Sequence, residues 1–110
     1  MEGFQPSEFD QSPAMGTVQT PVEGVKYVRC GQLVTVTVDK EITTASSTWV
    51  EVCSGLPRPA IEVYGVARPN SITDTRIILM DINVVGRLQV TGAGATTALI
   101  RGSITYITKD

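Results

Sequence analysis

Leu33-Val34-Thr35-Val36-Thr37-Val38 alternates valine with polar threonine, placing Val34, Val36 and Val38 on one face and Thr35 and Thr37 on the other. A repeat of two is the pattern of a half-buried strand. It returns near the end of the chain, where Ile100, Gly102, Ile104 and Tyr106 alternate with Arg101, Ser103 and Thr105 over residues 99–108. Val25–Cys30 precedes the first of these stretches, ending at Gly31. Asp39-Lys40 then offers a turn, and residues 42–45 continue as an edge.

Further strand signals recur at residues 49–53, 60–67, 76–82 and 87–90. Between them lie breakers. Pro57 and Pro59 remove ladder donors, and Arg68-Pro69-Asn70-Ser71 is a turn by composition. Residues 76–82 are almost continuously apolar, as in a strand covered on both faces. About seven or eight strands at this spacing give an all-β chain, an antiparallel β-sandwich of jelly-roll type.

Composition agrees. The 110 residues are enough for one domain and hold 14 Val, 9 Ile and 14 Thr against 5 Leu and 7 Ala. β-branched side chains suit a pleated surface, and strong helix formers are scarce. No apolar run approaches the roughly 20 residues that span a bilayer, so membrane insertion is not expected. Residues 1–21 form an acidic arm containing Pro6, Pro13 and Pro21, and residues 22–110 form the β domain. The arm holds both phenylalanines, Phe4 and Phe9, which invites docking on the body or on a neighbour. No basic n-region leads an apolar stretch, so synthesis in a host cytoplasm without a signal peptide is expected.

Chemistry is restricted. Histidine is absent, which removes Ser-His-Asp, Cys-His and His-ligated metal arrangements together. Asp39, Glu41 and Asp74 lack the ordered spacing of a calcium loop. Gly92-Ala93-Gly94 precedes a strand rather than the helix a phosphate cradle needs. Catalysis, a cofactor and a metal are therefore not expected. The net charge of −2 and the dispersed arginines argue against nucleic acid. Cys30 and Cys53 read as small buried hydrophobes, with a disulfide left open. Sugar binding needs exposed aromatic platforms, for which Trp49 and Tyr64 are placed beside turns.

Three stretches together resemble a known group: residues 24–37, from Gly24-Val25-Lys26-Tyr27 to Leu33-Val34-Thr35; Trp49-Val50-Glu51-Val52 running into Gly55-Leu56-Pro57; and the closing Gly102-Ser103-Ile104-Thr105-Tyr106-Ile107. They are similar to the C-terminal head domains of bacteriophage tail fibres and receptor-binding minor tail proteins. Thr48 stands where that group usually has glycine before the tryptophan. The resemblance implies a jelly roll, a homotrimer and host-surface attachment within a virion tail. Candidate ligand contacts are Trp49, Arg58, Arg68, Asn70 and Asp74, with a bacterial surface glycan as the ligand. Candidate interface residues are Phe4, Phe9, Leu99 and Ile107. Two alternatives stand beside this reading. One is a structural virion protein, such as a baseplate or capsid decoration trimer with only virion partners. The other is a bacterial carbohydrate-binding or adhesion module.

Overall fold

The computed structural model describes residues 16–92 and 94–110, so the expectations placed on Phe4 and Phe9 lie outside the described residues. The described chain is all-β. Its strands are β1 (Gln19–Val22), β2 (Val25–Cys30), β3 (Leu33–Thr43), β4 (Val50–Cys53), β5 (Val63–Pro69), β6 (Ile78–Ile82), β7 (Leu88–Thr91) and β8 (Thr97–Ile107). All pair antiparallel in one sheet of order β1-β2-β3-β8-β5-β6-β7-β4. The expected antiparallel, sandwich-like class and strand number are those of the structure.

Parity sets the inside. Val34, Val36 and Val38 of β3, Ile100, Ile104 and Tyr106 of β8, Ile78, Met80 and Ile82 of β6, and Leu88 and Val90 of β7 all enter one core. A single sheet whose alternate residues from nearly every strand share one core has to curl until its inner face meets itself. The result is nearly closed and barrel-like, the shape a twisted antiparallel sheet takes when its inner side chains fill the interior.

Two local expectations gave way to the ladder. Asp39-Lys40 is not a turn: β3 runs through it, pairing every residue from Leu33 to Thr43 with β8. Asp39 faces Arg101 across the strands and pairs with its guanidinium at 2.9 Å, while the Lys40 ammonium donates to the Glu23 carbonyl at 3.1 Å. Eleven paired residues outweigh the turn preference of two. At the start, Gln19–Val22 joins the sheet as an edge strand, the position where Pro21 removes no needed ladder donor.

The crossing of β5 over β8 depends on a glycine. Gly102 pairs with Val38 on one side and Ala67 on the other. A Cβ built there would lie 2.6 Å from the Ala67 Cβ and 3.1 Å from the Val66 carbonyl oxygen. Backbone would have to move to admit it. Gly102→Ala is expected to destabilise the fold by about 1–3 kcal/mol, the range for overpacking, as a lowered urea midpoint. An unchanged midpoint would show that β5 and β8 are not packed so closely.

Candidate functional site

Three connections meet at one end of the sheet: residues 44–49 after β3, residues 70–77 after β5, and residues 92–96 after β7. Thr44, fully buried, ties them together. Its amide donates to the Thr96 carbonyl at 3.1 Å, its hydroxyl donates to the Gly94 carbonyl at 2.8 Å, and the same oxygen accepts from Arg76 Nη1 at 3.1 Å. Ser46 bridges to Gly92.

Arg76 in turn grips Asp74 with two parallel bonds, Nε to Oδ1 at 2.9 Å and Nη2 to Oδ2 at 2.8 Å. That fork holds the Asp74 carboxyl below the usual carboxylate range. Ser71 Oγ accepts the amides of Thr73 and Asp74, both at 3.1 Å, and so fixes the loop tip. The Asn70 amide donates to the Leu99 carbonyl at 2.7 Å.

Four of the five ligand candidates therefore gather toward this end. Trp49 immediately precedes β4 and is 39% exposed. Asn70 and Asp74 stand in the 70–77 loop. Arg68, near the end of β5, lies directly across from Arg101 on β8, and its charge also acts on Asp74. Arg58 is elsewhere. It sits at the opposite end, where its guanidinium clasps the Asp110 carboxylate at 2.7 and 2.9 Å and its amide donates to the same group at 2.7 Å. This holds the Asp110 carboxyl down to about 2. The clasp closes a seam in which Tyr106 donates to the Pro57 carbonyl at 2.6 Å and Thr108 Oγ1 donates to the Arg58 carbonyl at 2.7 Å.

Leu99 and Ile107, the interface candidates within the described residues, both lie on the outer face and are 37% and 54% exposed. They stand at opposite ends of β8, about 27 Å apart at the usual strand rise. Ile107 faces Leu33, whereas Leu99 faces Glu41. A larger apolar stretch occupies the outer face of the neighbouring hairpin. There Val66 of β5 stands opposite Leu79 of β6, at 55% and 47% exposed, flanked by Ile77 and Tyr64. The outer side of the 76–82 run is thus open in a single chain. By contrast, the outer face of β3 and β8 carries polar pairs: Thr35 with Thr105 at 3.0 Å and Thr43 with Thr97 at 2.6 Å.

Among the described residues, no group of three or more histidine, cysteine or carboxylate side chains is placed to hold a metal ion. Both cysteines are free thiols; Cys53 is buried and Cys30 half-buried. No helix of the described residues is long and apolar enough to cross a membrane. No protein-family model and no curated protein matches the chain.

Asp81 was missed as a site residue. It has the outward parity of Leu79, yet it is fully buried between Tyr64 and Gln89, its neighbours across the ladder. Gln89 Nε2 donates to Oδ2 at 2.8 Å, and Oδ1 has no hydrogen-bond partner. Burial pushes the Asp81 carboxyl upward, the Gln89 amide pulls it partly back, and the neighbouring Glu62 carboxyl adds to the rise. A carboxyl raised on folding contributes its full stability below the ordinary carboxylate pKa and loses it as pH climbs through the folded value. Asp81→Asn, neutral at every pH, is therefore expected to melt higher than the parent protein at pH 7, by on the order of 1 kcal/mol, with the gain vanishing near pH 3. A gain independent of pH would contradict the assignment.

Proposed function

We propose that this chain is a non-catalytic head domain of a bacteriophage tail fibre or receptor-binding tail protein, assembled as a homotrimer and attaching to a bacterial surface glycan. The observation that carries this reading is the open apolar strip on the outer face, from Tyr64 and Val66 to Leu79 and Ile77. Apolar side chains paired across two strands and left in water are what a neighbouring copy covers. Three copies around an axis close such a surface without leaving a free end.

The tied loops at one end suit shallow sugar contacts. Trp49 supplies a ring face, and Asn70, Thr75 and Ser47 supply exposed hydrogen-bonding groups on connections whose backbone Thr44 and Arg76 hold in place. Arg58 and Asp74 are each engaged by a partner within the chain, Arg58 with Asp110 at 2.7 Å and Asp74 with Arg76 at 2.8 Å.

A purely structural virion role is the second reading, favoured by that same internal use of charge. Binding of fluorescently labelled protein to a panel of bacterial strains separates the two. Saturable binding that purified surface polysaccharide competes away is expected. Trp49→Ala and Asn70→Ala should each weaken it about tenfold, as for a contact that carries binding energy, with an unchanged circular dichroism spectrum. If no strain is bound, and the protein instead joins isolated tail or capsid proteins, the structural role takes its place.

A further inference from the structure

A groove of about 370 Å3 runs along the outer face of β2 and β3, floored by Val28, Cys30 and Leu33 with Thr35, Thr37 and Lys26 along it. Its floor is apolar although its strands lie just inside the edge strand β1, and no described side chain fills it.

We propose that residues 1–15 fold back into this groove of their own chain, seating Phe4 and Phe9 against Val28, Cys30 and Leu33. Three observations meet there. The described chain begins beside the groove: the Gly16 amide donates to the Arg29 carbonyl at 2.9 Å, one residue from Cys30. The seven residues from Phe9 to Gly16 can span roughly 23 Å when extended, more than the length of β2. Charge agrees as well. Residues 1–15 carry Glu2, Glu8 and Asp10 and no basic residue, whereas Lys26 borders the groove. Both phenylalanines of the chain fall in that segment, and Tyr27 already lines the groove they would enter. A ring bound in an apolar groove, with an acidic segment led across a lysine, combines area burial with charge complementarity. Docking within one chain requires neither the trimer nor a glycan.

The groove contains its own reporter. Cys30 lines it, while the other thiol, Cys53, is buried and pushed up to about 11 by that burial, with Glu51 adding to the rise. Maleimide labelling of the full-length native protein therefore reads Cys30, and Cys30→Ser should abolish the fast signal. The docked segment should shield the thiol, so that Phe4→Ala/Phe9→Ala labels about tenfold faster than the parent protein. Lys26→Glu should shift the rate in the same direction. The parent rate should stay constant as protein concentration is raised from micromolar to hundreds of micromolar. Equal rates for the parent and the double alanine variant would overturn the proposal. Protection that grows with concentration would overturn it too, assigning the groove to a second copy.

Discussion

The antiparallel ladder between β3 and β8 is the constraint on which the rest of the molecule hangs. It pairs eleven residues of each strand, from Leu33 with Ile107 to Thr43 with Thr97, across the intervening residues 44–96. Closing so long a loop costs entropy before any contact repays it, so the ladder forms only with a full run of hydrogen bonds and a buried face. Register is fixed by the same means. Slipping one residue would turn Val34, Val36 and Val38 to water and bring Thr35 and Thr37 inside. With that register set, β2 adds to one side, β5 to the other, and the remaining strands follow from β5.

The two faces that result have different fates. Inside, branched aliphatic side chains from most of the strands fill a common core. Outside, the central pair is finished with hydroxyls and an Asp39–Arg101 ion pair, whereas the β5–β6 hairpin ends in apolar side chains. A small domain has little interior to spare, so bulky residues that β5 and β6 present outward are available to a partner. The loop end is built on a different plan. Thr44 donates to the Gly94 carbonyl and accepts from Arg76, whose guanidinium also grips the Asp74 carboxylate, leaving Trp49 and the loop-tip hydroxyls to face solvent on a stiff base.

Much of the fold was legible because strand parity is a one-dimensional signal. The alternation of Ile100, Gly102, Ile104 and Tyr106 gave the inner face of β8 directly, and Val34, Val36 and Val38 gave that of β3. The break placed at Asp39-Lys40 went the other way, since a local turn preference cannot register a partner strand sixty residues distant. β1 was obscured by Pro21, which sequence reads as a breaker and an edge strand tolerates. The site was legible only in part. Trp49, Asn70 and Asp74 stand beside turn residues that converge at one end, yet nothing in the spacing links Arg58 to Asp110, a pairing that exists only once the final strand has docked. Asp81 did leave a trace, as the one carboxylate within an apolar run. Its burial follows from neighbours on β5 and β7 that the sequence does not order.

The proposed trimer requires that copies of the chain cover the outward apolar side chains of β5 and β6. Static light scattering of the purified protein at tens of micromolar measures this directly. A stable mass near three times the 11.8 kDa of one chain is the expected result. A single species of 11.8 kDa, unchanged with concentration, would contradict it.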